Sequence, residues 1–230
     1  MPVLEVTDLT KSYVSPEGER NIIVNVPRFV LEDGQQVALR GPSGSGKTTL
    51  LHLIAGILQP DSGEVRIADA PFSLLPEAMR DRARATLLGY VFQTFNLLQG
   101  YTALENVMLG MLFGPGIHRG HAEELLVRVG LKDRLNYRPR QLSVGQQQRV
   151  AVARALANHP KLVLADEPTG NLDQKNAKEA LTLIREVCRE QRAALLLVSH
   201  DPAVLGQFEK VQDLTAINQT GGKDVLVIGH

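Results

Sequence analysis

The fold of this chain is decided by the stretch Gly41-Pro-Ser-Gly-Ser-Gly-Lys-Thr48, which fits the pattern G-x-x-x-x-G-K-[ST]. The glycines in this pattern let the backbone curl tightly, so that successive N–H groups can point at phosphate oxygens. Lys47 adds a full positive charge, and Thr48 offers a hydroxyl to a magnesium ion. The stretch therefore predicts a phosphate-binding loop.

The residues on either side of the loop supply the context that the motif requires. Gln36-Val-Ala-Leu-Arg40 reads as a short buried strand, and the run from Thr48 to Ala55 reads as a helix. The N-terminus of such a helix carries a partial positive charge and unpaired N–H donors, which favour a bound phosphate. Strand, loop and helix together predict a nucleotide site.

Length and composition narrow the class of protein. The chain has 230 residues, which suits one large α/β domain or one core with an inserted subdomain. It carries 25 basic and 25 acidic residues, and this balance argues against a nucleic-acid partner. The longest apolar run is Ala193 to Val198, far short of the ~20 residues that span a bilayer. The N-terminus shows no secretory pattern, so we expect any work at a membrane to go through a partner.

The pattern along the chain predicts three regions. Residues 3 to 40 alternate apolar stretches with turn signals, which is typical of antiparallel strands. Residues 95 to 157 read as mainly helical, whereas Lys161-Leu-Val-Leu-Ala165 and Ala194-Leu-Leu-Leu-Val198 are continuous apolar runs typical of central parallel strands. We expect a final hairpin over Leu214 to Ile228, turning at Gly221-Gly222.

Three further features are interpreted as structural. The arginines at 80, 82 and 84 are interrupted by Asp81 and are expected to form a solvated helix face. Cys188 is the only cysteine and is expected to be a small packed side chain. His118 and His121 are read as surface residues and not as metal ligands.

A second half of the site follows the strand at 161–165. Asp166 and Glu167 end this apolar strand, and ligands of open parallel sheets bind beyond the carboxyl ends of the strands. Two acids there are costly without a cation or a task. We expect Asp166 to hold the magnesium shell and Glu167 to polarise a water for attack on the γ-phosphate.

With these residues in place, the chain resembles the nucleotide-binding subunit of ATP-binding-cassette (ABC) transporters over essentially its full length. The specific marker is Leu142-Ser-Val-Gly-Gln146 with the helix that follows it, which is similar to the family signature L-S-G-G-Q. Gln93 resembles the Q-loop glutamine, Asp173 the D-loop aspartate, and His200 the switch histidine. Tyr13 resembles the aromatic residue that stacks on adenine.

The resemblance implies an α/β fold, a P-loop NTPase with a RecA-like core, an N-terminal antiparallel β subdomain and an inserted α-helical subdomain. It implies one nucleotide-binding domain over residues 1–230, with the core at 1–93 and 158–230 and the helical subdomain at about 94–157. The implied catalytic residues are Glu167, His200 and Gln93, and the implied Mg²⁺ ligands are Thr48, Gln93 and Asp166. The implied ATP-binding residues are Tyr13, Gly41, Pro42, Ser43, Gly44, Ser45, Gly46, Lys47, Thr48 and Thr49.

The resemblance also implies a head-to-tail homodimer with two ATPs between its subunits. Ser143, Gly145, Gln146 and Asp173 would then act across the dimer interface on the partner's nucleotide. Val144 departs from the signature, because it places a stiff β-branched side chain where the family has a glycine. Ser143 and Gly145 remain, so we expect function to survive.

Within the family, the chain most resembles the branch that holds the lipoprotein-releasing ATPase, the macrolide-exporter ATPase domain and a cell-division relative. The resemblance implies an ATPase in the cytoplasm, peripheral on the inner face of the membrane and bound to a separately encoded permease. A regulatory ATPase that gates a cell-wall hydrolase stays open as an alternative. Soluble ABC ATPases of the ribosome or of DNA repair fit less well, because the chain has one phosphate loop and no sustained heptads.

We expect the permease to dock just after Gln93, over roughly Phe95 to Leu112. The apolar residues Phe95, Leu97, Leu98, Tyr101 and Leu104 are more than a solvated loop needs, and a groove there could receive a short partner helix. The alternative is that these residues belong to the core, since apolar residues at helical spacing usually do.

Overall fold

The computed structural model describes residues 1–220. The strands are β1 (Pro2–Val14), β2 (Arg20–Glu32), β3 (Gln36–Arg40), β4 (Ser62–Ile67), β5 (Leu88–Val91), β6 (Leu162–Asp166), β7 (Ala194–Ser199) and β8 (Val211–Asp213). The helices are α1 (Lys47–Ile54), α2 (Glu77–Leu87), α3 (Ala103–Met111), α4 (Arg119–Arg128), α5 (Val144–Ala155), α6 (Gln174–Glu190), α7 (Pro202–Leu205) and α8 (Leu214–Ile217).

A parallel sheet positions the site. Its strand order is β5-β6-β7-β3-β8, and every neighbouring pair is parallel. β6 and β7 are buried along their whole length, which confirms the prediction of central strands from their apolar runs. Because all five strands run the same way, their carboxyl ends meet at one edge, where ligands of such sheets bind.

A separate antiparallel sheet forms the N-terminal part, in the order β2-β1-β4. The antiparallel pairing of β1 with β2 confirms the sequence prediction for most of residues 3 to 40. The prediction of antiparallel strands was wrong for β3, which pairs in parallel with β7 and β8. Its prediction as a short buried strand before the phosphate loop is confirmed by the burial of Val37, Ala38 and Leu39. It also missed β4, which returns from beyond α1 to pair with β1.

Helices α3, α4 and α5 fall within residues 95–157, as the sequence predicted. They pack on one face of the parallel sheet in a core that includes Leu125, Val150 and Leu195, and α6 completes this core with Ile184 and the fully buried Cys188. Burial raises the pKa of the Cys188 thiol to about 12, so the residue is packed and unreactive at neutral pH. The antiparallel sheet and α1 cover the other face of the parallel sheet in a second core. The subdomain boundaries near residues 94 and 157 stay predictions.

The arginines of α2 do not form a solvated face. Arg82 is exposed, but Arg80 is buried, and Arg84 donates to the carbonyls of Ala55 (2.9 Å) and Gly56 (3.1 Å). These carbonyls end α1, where the helix leaves acceptors unpaired and favours a positive charge. The cluster therefore anchors α2 on the end of α1.

The two histidines that were predicted to lie on the surface differ in their exposure. His118 is exposed, as predicted, whereas His121 is half-buried and stacks on His159 at a ring-centroid distance of 4.4 Å.

The end of the described chain differs from the predicted hairpin. Leu214–Ile217 form helix α8, so the prediction is wrong for its first residues, and Leu214 is fully buried. The rest of that prediction, including the turn at Gly221-Gly222, lies outside the described residues. Among the helices of residues 1–220, none has the length and apolar character needed to cross a membrane.

Candidate active site

The predicted phosphate loop joins β3 to α1 at the carboxyl edge of the parallel sheet. Gly46 has φ 88°, and a Cβ there would lie 2.8 Å from the carbonyl oxygen of Ile23, so only glycine fits. Lys47 is the first residue of α1 and is buried. Its Nζ donates to the carbonyls of Gly41 (2.8 Å) and Pro42 (2.9 Å), which holds the ammonium inside the curve of the loop.

Asp166 ends β6 beside the start of α1. Its Oδ1 accepts a hydrogen bond of 3.2 Å from the Thr48 hydroxyl, and the side chain is almost fully buried. Burial raises the pKa of Asp166, against the opposing effects of the Thr48 hydrogen bond and the nearby His52 and Lys47. A buried carboxylate and a hydroxyl side by side are hard oxygen donors, so this pair fits Mg²⁺.

Glu167 turns the chain sharply at the end of β6. Its φ is 42°, a left-handed conformation that is uncommon for a residue with a side chain and is concentrated at functional sites. Glu167 Oε1 lies 3.5 Å from Lys47 Nζ and 2.8 Å from His200 Nδ1, while Oε2 accepts a hydrogen bond of 3.1 Å from the Ser199 hydroxyl. The carboxylate is thus held on three sides.

His200 comes from the neighbouring strand edge. It directly follows Ser199, the last residue of β7, and most of its side chain is exposed. Since Nδ1 contacts Glu167, the Nε2 edge of the ring is free to meet a ligand. The carboxyl edge of the parallel sheet therefore brings together five residues from the start of α1 and the ends of β6 and β7: Lys47, Thr48, Asp166, Glu167 and His200.

The sequence reasoning missed three side chains behind this group. Ser199 holds Glu167, and the position could have been found because it adjoins His200. Tyr90 on β5 and His52 on α1 lie near Asp166, with their ring centroids 5.9 Å apart. Burial raises the pKa of the Tyr90 phenol, and the negative charge of Asp166 adds to this effect. Tyr90 lies opposite Leu164 in the β5–β6 pairing, two residues before Asp166, and only tertiary register reveals this.

Gln93 lies on the segment that leaves β5 toward the helices. Its backbone carbonyl accepts a hydrogen bond of 2.8 Å from Asn171, and its side chain lies close to Gly170. Arg154 of α5 donates to the carbonyls of Asn96 (2.6 Å) and Phe95 (2.8 Å) just beyond it. Gln93 is therefore placed beside the turn that follows Glu167, and its predicted role toward Mg²⁺ stays a prediction.

The signature residues form the N-terminus of α5. Ser143 caps the helix, because its hydroxyl oxygen accepts from Gln146 N (3.3 Å) while Gln146 Oε1 accepts from Ser143 N (3.0 Å). The hydroxyl proton of Ser143 is left to donate elsewhere. Val144 has helical backbone geometry and a half-exposed side chain, so its β-branch meets no strain there.

The start of α6 lies beside this helix. A Cβ on Gly145 would lie 3.1 Å from Asn176 Oδ1, and Asp173 caps α6 by accepting a hydrogen bond of 3.0 Å from Asn176 N. Within residues 1–220, the hydrogen bonds of Ser143, Gln146 and Asp173 stay within their own helix starts. No hydrogen bond in the described part of the chain joins them to the phosphate loop, and their role across a dimer interface stays a prediction.

Tyr13 lies near the end of β1, opposite Asn21 of β2, and is partly exposed. The remaining predicted ATP-binding residues are all part of the loop or of the first turn of α1: Pro42, Ser43, Gly44, Ser45 and Thr49. The Ser45 hydroxyl is buried and has no hydrogen-bond partner in the described chain, so it is an available donor inside the loop.

Comparison with known proteins decides the family. Residues 24–170 match the protein family described as ABC transporter, which is well over half of the chain. The chain belongs to the ABC transporter family. This confirms the resemblance predicted from the phosphate loop and the signature motif, and it makes the chain an ATP-binding subunit of the ABC type.

The similarity of this ABC subunit to known proteins covers nearly its whole length. It is 44% identical to the lipoprotein-releasing system ATP-binding protein LolD 2 of Rhodospirillum rubrum, over 93% of this chain and 94% of that protein. It is 41% identical to the lipoprotein-releasing system ATP-binding protein LolD of Rhodopseudomonas palustris, over 91% of each. A solved ATP-binding cassette, a dimer in a post-hydrolysis state with ADP and Pi, has a TM-score of 0.82 at 36% identity, over 91% of this chain and 93% of that one.

Proposed function

We propose that this ABC subunit binds and hydrolyses MgATP as a dimer and so drives a separate membrane protein. The observation that carries the proposal is the convergence of Lys47, Thr48, Asp166, Glu167 and His200 at one edge of the parallel sheet. An ammonium, a hydroxyl and two carboxylates with distinct partners are the groups that phosphoryl transfer to water needs.

The residues take different parts in binding and in hydrolysis. The loop N–H groups and Lys47 bind the β- and γ-phosphates, so the ammonium exchanges its bonds to the Gly41 and Pro42 carbonyls for bonds to phosphate oxygens. Thr48 and Asp166 are the ligands that would hold Mg²⁺, with Gln93 as a further ligand. When bound, Mg²⁺ would neutralise phosphate charge and favour departure of ADP.

Glu167 is the general base of this proposal. Its carboxylate accepts the proton of the attacking water, while Ser199 and His200 fix its orientation through the two hydrogen bonds described above. The left-handed turn at Glu167 sets the direction of the side chain, since Asp166 and Glu167 are adjacent yet must point to different tasks. His200 additionally meets the γ-phosphate through its free Nε2 edge.

The second subunit completes the site. The unpaired N–H groups at the N-terminus of α5, with Ser143 and Gly145, would cap the γ-phosphate bound by the partner, and Gln146 and Asp173 would line the same interface. The dimeric form of the structural relative supports this arrangement. ATP then holds two subunits together, and its hydrolysis releases them, which is a ligand-driven two-state switch.

The relatives point to the kind of work performed. Both named relatives belong to lipoprotein-releasing systems, so we propose lipoprotein release or closely related extracytoplasmic work, with the subunit on the cytoplasmic face of the membrane. A short helix of the membrane subunit would dock on the loop after Gln93. Leu98 and Tyr101 of this loop are about half exposed, which leaves apolar area for such a helix.

Two variants test binding and hydrolysis. Lys47→Ala should bind MgATP at least about a hundredfold more weakly, because it removes the ammonium that the loop directs at the phosphates. Glu167→Gln should bind MgATP normally and lose about a hundredfold or more in turnover, and its ATP-bound dimer should accumulate on size-exclusion chromatography. Unchanged nucleotide affinity in Lys47→Ala by calorimetry contradicts the site, and wild-type turnover in Glu167→Gln assigns the base elsewhere.

A separate assay tests the membrane work. The subunit is co-reconstituted in proteoliposomes with the membrane protein that co-purifies with it, and ATP-dependent release of an acylated lipoprotein is measured. Lys47→Ala is the matched control for nucleotide dependence. Turnover without any lipoprotein release would favour the regulatory alternative.

A further inference from the structure

Tyr13 lies on the last part of β1, where β1 pairs with only one neighbouring strand. The pairing of β1 with β4 ends at Thr10, which lies opposite Ser62, whereas the pairing with β2 continues to Val14. Beyond Thr10, β1 and β2 therefore form a two-stranded ribbon. Such a ribbon has little stability of its own in water, so its end needs another support.

The carboxylate of Asp61, the residue before β4, replaces the missing strand. Its Oδ2 accepts the backbone N–H of Ser12 (2.9 Å) and the Ser12 hydroxyl (2.5 Å), so it satisfies a donor that β4 no longer reaches. Lys11 Nζ donates to Oδ1 (3.2 Å), and Arg20 Nη2 donates to Oδ2 (3.1 Å). Both strands of the ribbon are thus tied to one side chain.

The ties around Asp61 reinforce one another. Lys11 Nζ also donates to the carbonyl of Gln59 (2.8 Å), and Arg20 Nε donates to the Ser12 hydroxyl (2.6 Å). The β1–β2 register shifts between Lys11 and Ser12, so the clamp lies at the irregular point of the ladder. The Ser12 hydroxyl, above the other donors, lowers the pKa of Asp61, which keeps the carboxylate charged at neutral pH.

The ribbon end lies next to the phosphate loop. The carbonyl of Ile23 on β2 closely approaches Gly46, and it accepts a hydrogen bond of 2.9 Å from Asn218 Nδ2. Tyr13 lies opposite Asn21, which is two residues from Ile23 along β2. The direction in which the ribbon extends past the loop therefore sets the distance between Tyr13 and a nucleotide bound there.

We propose that Asp61 is a positioning residue for the base of the nucleotide, because it clamps the ribbon end that presents Tyr13 to adenine. This inference rests on the proposed ATP site. Asp61 itself touches no nucleotide in this account. Its loss lets the ribbon end move, which weakens the stacking of adenine on Tyr13 and leaves the contacts of the phosphate loop intact.

The test compares a ligand that carries an adenine base with a ligand that has the same phosphates and no base. Calorimetry measures the affinities of Mg-ATP and Mg-tripolyphosphate for the wild type, Asp61→Ala, Tyr13→Ala and the double variant. Asp61→Ala should weaken ATP binding about five- to tenfold and leave tripolyphosphate binding within about twofold. Tyr13→Ala should give the same pattern, and the double variant should lose no more than Tyr13→Ala alone, because both changes remove one interaction.

A matched control separates this role from a general effect of ion pairs. Glu190→Ala removes another carboxylate that is hydrogen-bonded by an arginine, Arg128, on the far helices, and it should change neither affinity. An equal loss for both ligands, an additive double variant or an unchanged ATP affinity in Asp61→Ala each overturns the inference. If the wild type binds neither ligand, the proposed ATP site itself fails.

Discussion

Asp166 shows at the scale of one residue how function opposes stability. Its carboxylate is almost fully buried and accepts a hydrogen bond of 3.2 Å from the Thr48 hydroxyl. Burial of a charge without full pairing costs free energy, which is why its pKa is raised. The site is therefore built to be completed by a cation.

Asp166→Asn should stabilise the protein in the absence of nucleotide and metal. The amide keeps the size of the side chain and removes the desolvated charge, so the melting temperature should rise by about 2–4 °C at pH 7. An acid whose pKa is raised on folding destabilises the fold when ionised, and this cost disappears as the pH falls to the pKa of the unfolded state, ~3.9. The difference between wild type and variant should therefore shrink on acidification.

The control for this measurement is Glu190→Gln, because Arg128 lowers the pKa of Glu190. Loss of that carboxylate should not raise the melting temperature of the Glu190→Gln variant. A second measurement concerns the metal: in the Asp166→Asn variant, Mg²⁺ should no longer strengthen ATP binding. A melting temperature below that of the wild type at pH 7 would mean that Asp166 is net stabilising without its cation.

The site residues divide by how locally they are encoded. Lys47, Thr48, Asp166 and Glu167 belong to short contiguous patterns at the ends of strands, so the sequence predicted them together. Asp61 was missed because its partners Lys11, Ser12 and Arg20 are at least 41 positions away along the chain. Such contacts depend on which strands pair and in what register, and a single sequence leaves that open.

At the scale of elements, the start of α5 explains the departure from the family signature. Val144 follows the cap residue Ser143 and points partly to solvent, so a β-branched side chain is accommodated. The sequence analysis did not identify this cap, although Ser143 and Gln146 have the spacing of a capping box. It could not predict that Gly145 faces Asn176 of α6, because this requires the packing of two helices.

Val144→Gly should retain ATPase activity within about twofold, since a single exposed glycine at a helix start is a small change. Gly145→Asp should lose at least about tenfold, because a carboxylate facing the partner's γ-phosphate repels it. Steady-state ATPase rates measure both. The Gly145 variant also crowds Asn176 within its own subunit, so Gly145→Asp combined with Asn176→Ala is the control. Recovery of activity in that double variant would assign the loss to helix packing and contradict a role at the phosphate.

At the scale of the whole molecule, the parallel sheet lies between two cores. Alternate residues of β7 face opposite sides: Leu195 and Leu197 contact the helical core, whereas Leu196 and Val198 contact the core under the antiparallel sheet. The sequence predicted antiparallel strands in residues 3–40 and helices in residues 95–157, but not that they cover opposite faces of the parallel sheet. The contact of Arg154 with the carbonyls of Phe95 and Asn96 was not predicted, because it joins residues that are 59 and 58 positions apart along the chain. This arginine joins the helix that starts at the signature to the segment that follows Gln93.

The segment after Gln93 divides into residues that belong to the core and residues that lie on the surface, and docking stays a prediction for the latter. Leu97 and Leu104 are buried and Phe95 packs against the same core, so for these three residues the alternative interpretation as core is confirmed. Leu98 (49% exposed) and Tyr101 (45% exposed) remain on the surface. Asn106 holds their loop, since its Oδ1 accepts from Leu98 N (2.8 Å) and its Nδ2 donates to the Leu98 (3.2 Å) and Tyr101 (3.3 Å) carbonyls.

Leu98→Glu should therefore abolish co-purification with the membrane subunit while basal ATPase activity and melting temperature stay within error. The loop backbone is fixed by Asn106 and not by the Leu98 side chain, so the added charge meets solvent in the free subunit and an apolar partner helix in the complex. Leu104→Glu is the matched control, because the same change at a residue that is 2% exposed buries a charge and should unfold the protein. If Leu98→Glu melts like Leu104→Glu, residue 98 belongs to the core. If Leu98→Glu is stable and still co-purifies with its partner, the membrane subunit docks on another surface.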